Sequence, residues 1–129
     1  MENTVSVGTL GELAVRKELH RQGYAVYIPQ CDNAQVDMVV ELKRGGFSRV
    51  QVKTVTKMKT STSIAVKLQK YKYRGRVDCV AVYYPPEDII AFVPYTNQDS
   101  IHLALKNAKN NQRLGRHWFY AYSDFPESE

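Results

Sequence analysis

The chain has 129 residues, 43% of them hydrophobic and 24% charged, and carries a net charge of +5. That composition describes one globular domain, 1–129, large enough to bury roughly two-thirds of its unfolded surface around a single core. No apolar run approaches the ~20 residues that span a bilayer and no signal-peptide pattern opens the chain, so the expectation is a cytoplasmic protein with no membrane partner.

Residues 4–22 read as the first helix. Thr4 is its expected cap and Gly23 its C-terminal stop, while Gly8 and Gly11 permit close backbone approach. Glu12 lies in its interior. Tyr24 to Pro29 reads as a short strand ended by a proline that cannot donate to a ladder. Cys31 and Cys79 are far apart, follow no metal spacing and read as two free thiols of a reducing compartment.

Gln35 to Thr54 carries the strongest pattern. Val36, Met38, Val40 and Leu42 share one face of a strand, and Val50 and Val52 share a face of a second, with Arg49, Gln51 and Lys53 on its other side. Burying all six apolar residues together expects Val40 opposite Val50 and Met38 opposite Val52, around a turn at Arg44-Gly45-Gly46. That register sets Asp37 opposite Lys53 with Gln51 diagonal, so a carboxylate, an amide and an ammonium converge on one side.

Residues 54–76 form a basic insertion of undecided structure, with a strand or short helix near Ile64 to Leu68. Between Leu42 and Val77 stand eleven Lys or Arg and no Asp or Glu, whereas the rest of the chain has seven basic and thirteen acidic residues. Such a basic middle is the footprint of a phosphate-backbone binder, and Lys57, Lys59, Lys67, Lys70, Lys72, Arg74 and Arg76 are its expected DNA contacts. Arg113, Arg116 and His117 make a second, smaller basic cluster. Tyr71 and Tyr73, interleaved with the cations, suit base stacking or core packing equally.

Val77 to Tyr84 reads as a buried central strand, Pro85 to Asp88 as a turn and Ile89 to Pro94 as its hairpin partner. A second helix is expected from Asp99 or Ser100 to Lys109, then an aromatic edge strand from Leu114 to Ser123 and a tail at 124–129, frayed from Pro126 to Glu129.

A helix glutamate followed by Asp…Gln-x-Lys on a hairpin suits metal-assisted phosphodiester hydrolysis, which needs a hard cation to polarise the phosphoryl oxygen. Mg²⁺ takes one or two carboxylates and keeps several waters. Asp37 is the expected direct ligand, with Glu12 assisting from the helix and the Val52 carbonyl adding an oxygen. Lys53 would orient or help deprotonate the attacking water and offset phosphate charge.

Gly8-x-x-x-Glu12, Val36-Asp37 and Val50-Gln51-Val52-Lys53-Thr54 together resemble the PD-(D/E)XK nuclease superfamily. The glutamine at 51, with Val-Asp-x-x-Ala-Val-Tyr at Val77 to Tyr83, is most similar to the homing endonucleases of cyanobacterial group I introns. The resemblance covers roughly Gly8 to Pro94; Val36 stands where the signature has proline and Gln51 where it has a second acid. It implies an α/β fold with a mixed central sheet flanked by helices, of αβββαβ type. It also implies Mg²⁺-dependent cleavage of double-stranded DNA by Glu12, Asp37, Gln51 and Lys53, and a homo-oligomeric dimer or tetramer. The readings that compete are a Holliday-junction resolvase, which normally keeps an acid at the Gln51 position, a catalytically inactive DNA-binding module of the same fold, and an RNA-binding protein.

Overall fold

The computed structural model describes residues 6–31, 35–69, 73–106 and 117–127. Helix α1, Val7–Arg21, is capped by Ser6, whose hydroxyl accepts the Thr9 N–H at 3.1 Å. Thr4, the expected cap, lies outside the described residues. Gly23 follows the helix at φ +89°, a left-handed position that spares only glycine a steric cost.

Strands β1 (Ala25–Tyr27), β2 (Met38–Glu41), β3 (Phe47–Thr54), β5 (Cys79–Tyr84) and β6 (Ile89–Pro94) form a sheet in the order β1-β2-β3-β5-β6, between whose third and fourth strands the chain makes β4 (Ser63–Lys67). β3 and β5 run parallel and every other pair is antiparallel, so this is the mixed sheet of the expected α/β core. Alternation sorts its residues into two layers. Met38, Val40, Val50, Val52, Cys79, Ala81 and Phe92 meet Val15 and Leu19 of α1, and Phe125 completes that core with ring contacts to Tyr24 and Phe92.

The other face is where the sequence reading needs correction. The expected second helix from Asp99 or Ser100 is instead β7, Ser100–Ala104, paired antiparallel with β4. Ile101 has helix spacing with Ala104 and Leu105 and strand spacing with Leu103, and pairing with Ile64 and Val66 selects the strand. The resulting two-stranded ribbon covers Val80, Val82, Ala91 and Val93 in the position where a helix layer was expected. The segment near Ile64 is thereby a strand. The expected aromatic edge strand is, in its described part, a single bridge at Trp118 followed by a 3₁₀ helix, Phe119–Tyr122.

Phe125 is buried, and Glu127, expected in the frayed end, is held: its carboxylate accepts the amides of Lys43 at 2.9 Å and Arg44 at 3.5 Å. That contact bears on the β2–β3 turn, which closes between Leu42 and Gly46 rather than one residue later. The register is therefore Met38 opposite Val50 and Val40 opposite Ser48, two residues from the expected one. A two-residue shift preserves the faces, so the same apolar residues remain buried.

Gly11 and Gly8 behave differently, contrary to the paired role expected of them. A Cβ at Gly11 would overlap the Thr54 hydroxyl and lie 3.4 Å from both Thr54 Cβ and Val52 Cγ1; at Gly8 it would meet only Ser6 Oγ, at 4.0 Å. Rotating Thr54 relieves only the first of the three contacts. We expect Gly11→Ala to cost about 1–3 kcal/mol through overpacking. Gly8→Ala should stabilise by up to about 1 kcal/mol. Urea denaturation of the two variants checks both signs.

One ion pair ties β3 to the turn ahead of β5. Arg49 Nε and Nη2 donate to the Asp78 carboxylate at 2.9 and 3.0 Å, and the Arg49 amide adds a third bond at 2.8 Å. These hydrogen bonds hold the Asp78 carboxyl below its ordinary value. A depressed acid contributes stability above its unfolded value of about 3.9 and loses it as pH falls through the folded one. Asp78→Asn should therefore be less stable than the native chain at pH 6 and converge with it as pH falls through that depressed value, as measured by thermal unfolding.

Candidate active site

β3 is longer than its neighbour: β2 begins at Met38, which faces Val50, so Gln51 to Thr54 run on with an open edge on that side. Asp37 fills part of the gap. Its N–H donates to the Val50 carbonyl at 2.9 Å, so Asp37 and Met38 both sit against one residue, the arrangement of a β-bulge. Its carboxylate accepts the Val52 N–H at 2.7 Å. A strand N–H lies in the plane of the sheet, so the half-buried carboxylate stands at the open edge of β3. Within a strand the N–H and C=O of one residue point to the same edge. The Val52 carbonyl is thus turned toward Asp37.

Asp37 therefore does not oppose Lys53, as the expected register had it. The shift brings it beside Gln51 and Val52 instead, with Lys53 one residue further along. Gln51 and Lys53 pair in parallel with Val80 and Val82 of β5, whose side chains point away from α1. Gln51 is 8% exposed. Its Nε2 reaches the Val52 carbonyl at 3.5 Å, the outer limit of a hydrogen bond, and its Oε1 is buried with no hydrogen-bond partner among the described residues. A buried amide oxygen without a donor costs about 1–3 kcal/mol and calls for a cation or a water. Lys53 is half-buried, its Nζ 5.5 Å from the centre of the Tyr73 ring.

Glu12 comes from the other layer. It follows Gly11, whose backbone lies against Thr54 and Val52, and is half-buried on α1. The four residues singled out in the sequence thus belong to α1, the bend before β2 and the last turns of β3. Among the described residues no three His, Cys, Asp or Glu cluster as a ready-made metal cage. The donors at the β3 edge are all oxygens (Asp37 carboxylate, Val52 carbonyl, Gln51 amide), the set suited to a hard cation that keeps much of its water. The residues present fit Mg²⁺ on those grounds.

Of the expected DNA contacts, Lys57 and Lys59 are exposed just past β3, Lys67 at the end of β4, and Arg74 and Arg76 on the turn before β5. Arg76 Nη1 donates to Gln35 Oε1 at 3.2 Å, steadying the loop that leads to Asp37. Lys70, Lys72, Tyr71, Arg113 and Arg116 lie outside the described residues. One contributor escaped the sequence reading: Arg49 pairs with Asp78. Of the two roles open to Tyr73, the structure shows the packed one, a buried ring beside the lysine. The alternation of β3 placed Arg49 on the right face, but nothing local names a partner 29 residues away. Burial pushes the Cys79 thiol up, consistent with an inert core cysteine.

The sequence matches the PD-(D/E)XK endonuclease family across residues 2–125. The chain belongs to that family. Among solved structures, this PD-(D/E)XK protein resembles the bacterial homing endonuclease I-Ssp6803I with a TM-score of 0.69, at 23% identity over 95% of this chain and 87% of that one. It resembles Archaeoglobus fulgidus Hjc, a Holliday junction resolvase, with a TM-score of 0.52, at 18% identity over 77% of this chain and 84% of that one. At such identities both likenesses establish the fold alone. A curated relative, protein 5.3 of Escherichia phage T7, is 41% identical over 54 residues, which is 42% of this chain and 45% of the relative. The PD-(D/E)XK chain thus spans less than half of that relative's length. Among the described residues, no helix is long and apolar enough to cross a membrane.

Proposed function

We propose that this chain is a Mg²⁺-dependent endonuclease that hydrolyses phosphodiester bonds in double-stranded DNA, and that it serves as an intron-encoded homing enzyme. One observation carries the reading. At the open end of β3 the Asp37 carboxylate accepts the Val52 N–H, the Val52 carbonyl is turned toward the same edge, and Gln51 keeps a buried Oε1 with no hydrogen-bond partner among the described residues. Membership of the PD-(D/E)XK endonuclease family supports it.

When bound, Mg²⁺ would supply Lewis acidity to the phosphoryl oxygen. The chain's own residues do the rest. Asp37 is directed by its bond from Val52 N–H, which holds the carboxylate at the β3 edge. Gln51, neutral where a second carboxylate is usual, offers an oxygen without adding negative charge beside the incoming phosphate. Lys53 provides an ammonium that stabilises the developing charge and orients the attacking water. Glu12, from α1, accepts from waters around the site. The exposed Lys57, Lys59, Arg74 and Arg76 follow the backbone of the duplex, with binding that falls steeply as salt rises.

A domain of this size covers only part of a long recognition site, so we take the working form to be at least a dimer, with one active site per strand. The rival activity is junction resolution, favoured by the Hjc-like fold. Cleavage of a linear duplex should exceed cleavage of a four-way junction of the same sequence by at least about tenfold. A preference for the junction would select the resolvase reading instead.

A further inference from the structure

We propose that Tyr73 is the positioning residue for Lys53: its ring holds the lysine ammonium at the working end of β3. The proposal rests on the nuclease role of Lys53 given above and names what sets that side chain in place.

Lysine carries four rotatable bonds and about 2 kcal/mol of rotamer entropy, so a lysine at a strand end points nowhere in particular unless something narrows its choice. Here Nζ stands 5.5 Å from the centre of the Tyr73 ring, within the ~6 Å at which a π face attracts a cation. The ring is itself immobilised. Tyr73 is 2% exposed, and Tyr95 meets it edge-on with centroids 5.8 Å apart and planes at 74°. Its backbone is pinned as well: Tyr73 N–H donates to Gln69 O at 3.1 Å, and its carbonyl accepts from Arg76 at 2.9 Å and Val77 at 3.2 Å.

The same turn is fastened to β3. Arg49 Nη1 donates to the Gly75 carbonyl at 2.8 Å, and the Asp78 N–H donates to the Arg49 carbonyl at 2.9 Å. Ring and lysine are therefore both referenced to one strand, the turn through Arg49 and the lysine at position 53, four residues apart on one face. An aromatic partner also suits the task better than a carboxylate would. A carboxylate occupies the ammonium's N–H groups and cancels its charge, whereas a π face leaves the charge uncancelled and the N–H groups turned away from the ring available to water and phosphate. Since a misplacement of about 1 Å can cost 10²-fold in rate, holding the lysine matters.

The test compares Mg²⁺-supported cleavage of a duplex by Tyr73→Phe, Tyr73→Leu, Lys53→Ala, the double variant and Phe119→Leu. Phe119 lies in the same apolar cluster as Tyr73 and serves as the packing control. Tyr73→Phe keeps the π face and should cleave within about twofold of the native chain. Tyr73→Leu should lose roughly tenfold in kcat with KM nearly unchanged. Phe119→Leu should lower the unfolding temperature and leave kcat alone. Adding Tyr73→Leu to Lys53→Ala should cost nothing further.

A Tyr73→Leu chain with native kcat, while Lys53→Ala is slow, overturns the proposal and leaves the lysine's role intact. So does a Tyr73→Phe chain as slow as Tyr73→Leu, or a loss that persists in the Lys53→Ala background. Native cleavage by Lys53→Ala would instead overturn the role of Lys53 itself, and this proposal with it. Should Tyr73→Leu not fold, proton NMR of the native chain decides: the Lys53 ε-methylene must resonate upfield under the ring current, and an unshifted signal refutes the contact.

Discussion

Asp37→Asn should lower the rate of DNA cleavage about 10³-fold, some 4 kcal/mol of transition-state stabilisation. The substitution is nearly isosteric, and an amide oxygen can still accept the Val52 N–H, which now bonds the carboxylate at 2.7 Å. The bulge and the register of β2 on β3 therefore survive, and so should the unfolding midpoint. What disappears is the negative charge that attracts a divalent cation to the β3 edge. Binding of duplex DNA, which draws on the exposed lysines and arginines, should stay within about threefold of the native value at fixed salt. Single-turnover cleavage and filter binding on the same preparation separate the two effects. An Asn variant that cleaves normally would remove Asp37 from the chemistry.

Lys53→Ala should lose about 10²–10³-fold in cleavage, the usual effect of deleting one preorganised group that meets developing charge. Here the fold has little at stake: Lys53 is half-buried at the end of β3, and its methylenes are the only packing removed. Lys53→Arg should recover only part of the loss. A planar guanidinium directs its donors differently from a compact ammonium, and it would have to fit the space between β3 and the Tyr73 ring. Lys57→Ala, by contrast, removes an exposed cation past the strand and should weaken binding slightly with no effect on the cleavage step. Equal losses for Lys53→Ala and Lys57→Ala would make both merely electrostatic.

The contrast between what the chain announces and what it conceals follows from range. The alternation of Met38, Val40, Val50 and Val52 is local, and it correctly assigns those side chains to the face of α1. The same alternation puts Gln51 and Lys53 on the opposite face. Gly23 marks the end of the helix for an equally local reason, its positive φ.

The register was not local. It depends on Leu42 closing with Gly46, on Asp37 crowding against Val50, and on Glu127 binding the turn amides from the far end of the chain. Ser100–Ala104 misled for a related reason. Its apolar residues satisfy helix and strand spacing alike, and the partner that decides, β4, sits in the basic stretch that shows no clear period. For Tyr73 the neighbouring cations leave stacking and core packing equally open, and its burial beside Lys53 selects the core.

The direct measurement is cleavage of supercoiled plasmid and of a random-sequence duplex library by the purified chain, in EDTA and in Mg²⁺. Nicked and linear products that appear with Mg²⁺ and vanish on chelation are the expected result. Cleavage that persists in EDTA, or a library in which no member is cut with the metal present, would contradict it.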